Sequence, residues 1–209
     1  MTAPQDARTG LLRADRHSEA QLRSIAAALN LFADHGVSGT SFQMIADATG
    51  VTKAAVYHQF KTKDALVLAV AEVALGPLEA ALDTAEAEPS RTRARAVLLT
   101  RVIDLAVERR RWVRALQGDP VMVRLLGSHA PFLDLIHRVY ALLLDQDADR
   151  ASNVRTAIVS AAIGGAIVHP LVADLDDETL RTELMAVTRR LFDLPDTARK
   201  QDPARSRSS

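Results

Sequence analysis

From Thr40 to Lys63 the chain reads TSFQMIADATGVTKAAVYHQFKTK, and it holds the side chains best suited to meeting a polyanion and reading base edges. Lys53, Ala54 and Ala55 stand together, and Tyr57 and His58 follow one helical turn later. A lysine reaches a phosphate or a guanine edge, an alanine methyl packs on a thymine methyl, and a tyrosine hydroxyl donates to a phosphate. Small residues near a helix start also let the helix approach base edges closely. Lys63 falls in the first turn of a further helix, where unpaired backbone N–H groups already favour an anion. Taken singly, each is an ordinary solvated side chain. The run carries the signal.

The elements that must position these residues are written around them. Thr40 and Ser41 offer oxygens to cap a helix start, and Gln43 stands where a capping box takes its third partner. Phe42, Ile45 and Ala46 share one helical face, and Gly50 supplies a left-handed stop. Thr52 caps a second short helix whose inward side carries Val51, Val56 and Phe60, and Thr62 is the next cap. Two short helices, a glycine turn and a shared apolar wedge describe a helix-turn-helix, whose second helix is shaped for the major groove. An earlier helix, about Ser18 to His35, gives them a surface through Leu22, Ile25, Ala26, Leu29 and Phe32, and Gly36 ends it.

This stretch resembles the TetR family of transcriptional regulators, from about Ile25 to Leu66. The resemblance rests on Phe32, Gly36, Thr40-Ser41, Ile45-Ala46, Gly50-Val51, Tyr57, Phe60, Lys63 and Leu66. It implies that Ser41, Gln43, Thr52, Lys53, Ala54, Ala55, Tyr57, His58 and Lys63 face DNA. Gln43 stands where many relatives carry Arg, and alanines fill two positions of the reading helix, so the operator sequence is left open. The fold implied is all-α: a three-helix N-terminal head and a C-terminal regulatory and dimerisation body of about six helices. The resemblance also implies a two-fold dimer on a palindromic double-stranded operator, with the last two helices forming a four-helix bundle.

Composition bounds the alternatives. The 209 residues suffice for one large domain or two small ones, and 48% hydrophobic content fits a packed protein. With only 4% aromatic residues the core should be aliphatic. No stretch approaches the roughly 20 apolar residues of a membrane span, and the N-terminus lacks an apolar signal core, so the expected setting is cytoplasmic without a membrane partner. There are no cysteines, hence no disulfides or thiolate metal sites. Cationic and acidic residues balance at 26 each, which argues against a strongly basic nucleic-acid binder. Residues 1–63, however, hold seven cationic residues against five acidic ones, an excess of two that a dimer doubles on one surface.

The domains expected are an arm over 1–16 without regular structure, a head over 17–63, a body over 64–194 and a tail over 195–209. Arg8, Arg13 or Arg16 could reach a minor groove from the arm. Leu66, Val67, Val70, Val73 and Ala74 begin a long helix that Gly76-Pro77 should bend without ending, a candidate joint between head and body. Ser90 caps a helix reaching about Arg110, where Glu108-Arg109-Arg110-Arg111 reads as a solvated cationic cap. Gly118-Asp119-Pro120 breaks the chain, a short helix follows to about Gly127, and another runs from Pro131 to Leu144. Beyond Arg155 the segment TAIVSAAIGGAIVH is apolar or small on every side and should be buried all round. It and a helix from Asp177 supply the expected dimer contacts: Ala161, Ala162, Gly165, Leu180, Leu184, Val187 and Leu191.

Catalysis finds no footing. The sequence holds no nucleophile elbow, phosphate loop or paired-histidine zinc motif, and neither a metal nor a cofactor is expected. His129 and His137 lie eight residues apart, too far in rise for a ligand pair. Two binding functions compete. In one, the body encloses a small hydrophobic effector and releases the protein, a repressor, from its operator. In the other, the body is only a dimerisation or partner-docking module. Trp112, Phe132, His137 and Tyr140 are the side chains to probe for a pocket.

Overall fold

The computed structural model describes residues 16–143 and 150–191. Arg8 and Arg13, Leu144 and the tail from 195 onward lie outside the described residues. Every regular element among the described residues is helical.

Helix α1 spans Glu19–Gly39. Ser18 caps it through a reciprocal box: the Gln21 N–H donates to Ser18 Oγ at 3.2 Å and the Ser18 N–H to Gln21 Oε1 at 3.0 Å. At Gly36 φ is +68°, so the regular helix stops there and a separate last turn leads to Gly39. The buried face is Ile25, Ala28 and Phe32 with Ser24. Ala26, expected in that stripe, faces solvent, because it lies about 100° around the helix from Ile25.

Helices α2 (Phe42–Thr49) and α3 (Lys53–Gln59) pack on α1 through Ile45, Ala46, Val56 and Phe60. Ser41 and Thr52 cap them, each accepting at 3.2 Å from the N–H three residues on. Gly50 adopts the left-handed conformation, φ 69° and ψ 27°, that turns one helix into the next. Val51, expected inside, is exposed in the turn. Gln43 is not a capping-box partner either. Ser41 is the cap, so the third helical position is Met44, and the Gln43 amide donates to Asp47 at 2.7 Å.

Helix α4 (Lys63–Glu86) starts at the Thr62 cap and continues through Pro77. By length and composition it could cross a membrane, which corrects the expectation that no stretch approaches such a span; half of that stretch is buried against the other helices. The body continues with α5 (Arg91–Glu108), α6 (Arg110–Gly118), α7 (Pro120–Leu126) and α8 (Ala130–Leu143). A break at Arg109 separates α5 from α6, so the body has seven helices among the described residues. The expected solvated arginine cap is corrected here, because each arginine ties down a different element. Arg109 donates to the Ala74 carbonyl at 2.8 Å, next to the Val73 carbonyl that Pro77 leaves without its helical donor. Arg110 donates to the Leu175 carbonyl at 3.3 Å, and Arg111 pairs with Asp34 of α1.

Two apolar clusters hold the molecule. Ile25, Phe32, Ile45, Val56 and Leu66 join Trp112, Met122 and Leu126, so the first core runs from α1, α2 and α3 into α6 and α7. Leu82, Leu98, Ile103, Leu135, Ile163 and Leu180 form the second. Beside the first, Glu72 of α4 lies between His17 at 3.5 Å and His129 at 3.7 Å. Arg138 of α8 meets Glu86 at 2.7 Å and Asp83 at 2.5 Å on α4, and the Glu86 hydrogen bond in particular holds its guanidinium in the charged form.

Helices α9 (Arg150–Ile167) and α10 (Asp177–Leu191) close the body, joined by a single 3-10 turn at Pro170–Val172. Within one chain α9 is not buried all round. Ile163 and Ile167 face the second core, whereas Val154 and Ile158 are each 57% exposed. Val187, 52% exposed, and Leu191 extend that apolar surface on α10. An open recess lies beside them, lined by Arg150, Ala151, Val154, Ile158 and Leu191.

Candidate nucleic-acid interface

The exposed side of α3 is assembled from the inside out. Val56 is fully buried, and Ser24 Oγ donates to Gln59 Oε1 at 2.7 Å, which fixes the end of α3 on α1. Lys53, Ala54, Tyr57 and His58 are consequently turned to solvent, with Ala55 half-buried at the edge. No side chain larger than alanine stands between Lys53 and Val56, so the first turn of α3 offers its backbone to a partner. Thr52 and Ser41 lie exposed at the caps, where their hydroxyls already hold Ala55 and Met44 N–H groups.

Tyr57 is 54% exposed yet held in place. Phe42 meets it edge-on with ring centroids 6.3 Å apart, and the Lys61 ammonium sits 5.7 Å from its ring centroid. Both contacts hold the ring while over half of the residue stays exposed. Lys61 is a cation on this surface that sequence reasoning passed over; its place four residues after Tyr57 was the available signal. Gln43 is exposed on α2, where its amide is bonded to Asp47. Lys63 is placed differently. It is half-buried, and its ammonium donates to the Val37 carbonyl at 3.0 Å.

The residues singled out for an effector are not one surface. Trp112 is buried in the first core and Phe132 packs against it, whereas His137 is exposed on α8 and Tyr140 half-buried on the same helix. Of the dimer candidates, Ala161, Ala162, Val187 and Leu191 are exposed and Gly165 and Leu184 half-buried. Leu180 is 2% exposed and spent on its own chain's second core, because it faces α5 at the first turn of α10.

The sequence model described as bacterial regulatory proteins, tetR family, matches residues 25–70, which are α1 from Ile25, the two reading helices and the start of α4. Over 59 residues the chain is 39% identical to an uncharacterized HTH-type transcriptional regulator, YerO, of Bacillus subtilis; that stretch is 28% of this chain and 20% of the relative's length. Two solved structures are similar over nearly their whole length. The ketosteroid transcriptional regulator KstR2 of Mycobacterium tuberculosis has a TM-score of 0.63 at 15% identity, covering 86% of this chain and 97% of that one. AibR, solved in complex with isovaleryl coenzyme A and operator DNA, has a TM-score of 0.59 at 18% identity, covering 81% and 97%. The identities are too low to carry more than the fold, but the reading head is matched in sequence and the body in shape. Residues 25–70 thus match the tetR family of bacterial regulatory proteins in sequence, and the body shares the fold of solved regulators of that kind.

Proposed function

We propose that the protein is a dimeric, sequence-specific DNA-binding transcriptional regulator, a repressor whose hold on a palindromic operator is released by a small hydrophobic ligand. The exposed face of α3 is the observation that carries this reading. A short helix, capped at its start and locked at its end by Ser24 and Gln59, turns Lys53, Ala54, Tyr57 and His58 outward and its apolar side inward. In this reading residues 17–63 are the head and 64–194 the body. Ser41, Gln43, Thr52 and Lys61 frame the groove-facing helix, with Lys53 and Gln43 meeting base edges and Tyr57 a phosphate.

The apolar surface of α9 and α10 supports a two-fold dimer, which presents two copies of α3 to major grooves about 34–36 Å apart. AibR with its acyl thioester and the ketosteroid regulator support an apolar effector here. Such a ligand acts by binding more tightly to the conformer whose reading helices do not match the operator.

The direct test is fluorescence anisotropy on duplex DNA. Ala54→Glu places a carboxylate in the groove and should abolish sequence-selective binding with thermal stability unchanged. Selective binding that survives this substitution would exclude α3 as the reading helix. A thermal-shift series with fatty acids, acyl thioesters and sterols tests the effector. No stabilisation by any class would favour the body as a dimerisation module alone.

A further inference from the structure

We propose that Asp119 is a positioning residue for operator recognition, the group through which the regulatory body sets where the reading helices stand. The inference rests on the DNA-binding reading above and adds a named link to it. Asp119 lies between α6 and α7, and its two carboxylate oxygens have separate tasks. Oδ1 accepts the N–H groups of Val121 at 2.9 Å and Met122 at 3.2 Å, which caps α7. Oδ2 reaches the Val37 N–H at 2.7 Å, 82 residues away along the chain.

The Val37 N–H needs such an acceptor. Gly36, at φ +68°, takes the backbone out of the helix just before it and removes the ordinary partner. The carbonyl of Val37 is held as well, by the Lys63 ammonium at 3.0 Å and the Thr40 N–H at 3.3 Å. Thus Val37 is gripped from α7 on one side and α4 on the other, and its own side chain is buried. The approach is close: a Cβ at Gly36 would stand 3.0 Å from Asp119 Oδ2.

Place in the chain gives this contact its leverage. Val37 precedes Ser41, the cap of α2, by four residues, and α2 carries α3 through Ile45, Ala46 and Val56. Fixing Val37 therefore fixes the start of the reading pair. Apolar packing of Trp112 and Ala115 also joins α6 to α1, whereas the polar tie from Arg111 to Asp34 joins two exposed side chains and holds weakly. A hydrogen bond from a backbone N–H to a carboxylate is stronger than a neutral one. On its far side, α6 packs against α9: the Gln117 amide fills the space over Gly164, two residues before Asp119. The helix proposed to bear the dimer contact thus abuts the helix that ends in the Asp119 grip.

Two substitutions separate the tasks. Asp119→Ser keeps a hydroxyl that caps α7 but is too short to reach Val37. Asp119→Asn keeps the volume, and its one acceptor oxygen serves either α7 or Val37. The full-length protein is titrated against a palindromic duplex selected by the unaltered chain, against one half-site, and against palindromes with one or two base pairs inserted at the centre. Asp119→Ser should bind the palindrome about tenfold more weakly, the order of one charged hydrogen bond, and Asp119→Asn should fall between it and the unaltered chain. They should bind the half-site as the unaltered chain does and discriminate less against the inserted base pairs, because the two heads are no longer held at one separation. Equal losses on palindrome and half-site would mean local damage to the head and overturn the proposal. Unchanged binding to both would overturn it as well. Failure of the DNA-binding reading itself appears earlier, as an unaltered chain that selects no sequence, and would remove both.

Discussion

Tyr57 and Gly36 illustrate two ways a single residue matters here. Tyr57 spends its ring on Phe42 and Lys61 and keeps its hydroxyl for a partner. We expect Tyr57→Phe to lower affinity for every duplex by a similar factor, since a phosphate contact carries no sequence information. Lys53→Ala and Gln43→Ala should instead change which sequence is preferred. Competition titrations with permuted duplexes check this, and a uniform loss from all three would contradict the division of roles. Gly36 acts through the backbone. An alanine there must take φ +68° with ψ 170°, a region essentially reserved for glycine, at a cost of about 1–3 kcal/mol, and brings its Cβ to 3.0 Å from the Asp119 carboxylate. Gly36→Ala should therefore lower the melting temperature by several degrees, and unchanged melting would show that the turn can rearrange.

Much of the residue scale was legible in the sequence. Ser41, Thr52, Thr62 and Ser90 cap as their types and spacing suggest, and Gly36 and Gly50 stop helices. The Ser18–Gln21 capping box was also legible, as S-x-x-Q before an apolar run, and was passed over. The Asp119–Val37 contact was not legible, because nothing local to Asp119 beyond its α7 cap points to a backbone N–H 82 residues away. Lys63 carries the same lesson. Its spacing suggested a helix start facing an anion, whereas the fold gives its ammonium a carbonyl.

At the scale of elements, periodicity located helices well and their breaks less well. The α5–α6 break falls in GluArgArgArgTrp, with no glycine or proline to announce it; each arginine there answers to a different distant element. Burial of Trp112 is similar: an isolated aromatic invited a pocket role, and the fold spends it joining α6 to the head. Trp112→Ala should cost about 3–5 kcal/mol by the usual range for a buried large side chain. Denaturant unfolding checks this, and a loss below about 1 kcal/mol would move Trp112 out of the core.

Helix α10 has a pH dependence of definite sign. The Asp176 carboxyl is lowered from its ordinary value by the backbone N–H of Thr179 first, and then by the Thr179 hydroxyl, at 2.9 and 2.8 Å. A lowered folded value means that the carboxylate stabilises the start of α10 above the unfolded range, about 3.9, and that this is lost as pH falls through the folded value. The Asp176 side-chain carbon resonance should titrate with a midpoint below that of an unfolded peptide. A midpoint at or above it would show that the Thr179 bonds do not persist in solution.

For the whole molecule, the single chain leaves its apolar surface incomplete. Val154, Ile158, Val187 and Leu191 lie exposed on α9 and α10, where the sequence reading expected burial on every side. In the proposed dimer a second copy would cover this face and supply the symmetry that a palindrome requires. Ile158→Asp should convert a dimer to a monomer in sedimentation velocity, with secondary structure retained. A dimer that persists at low micromolar concentration would place the interface elsewhere. The neutral total charge fits a mildly basic head offset by an acidic-leaning body, and it predicts a modest salt slope, each neutralised phosphate adding about 0.9.

The measurement that bears most directly on the central claim is selection of the full-length protein against random duplex DNA, followed by sequencing of the bound fraction. The α3 face predicts enrichment of one motif with two-fold symmetry, its half-sites about 10 base pairs or a multiple apart, and loss of that enrichment in Ala54→Glu. Bound DNA with no enriched motif, or enrichment that Ala54→Glu leaves intact, would contradict the assignment of α3 as a sequence-reading helix.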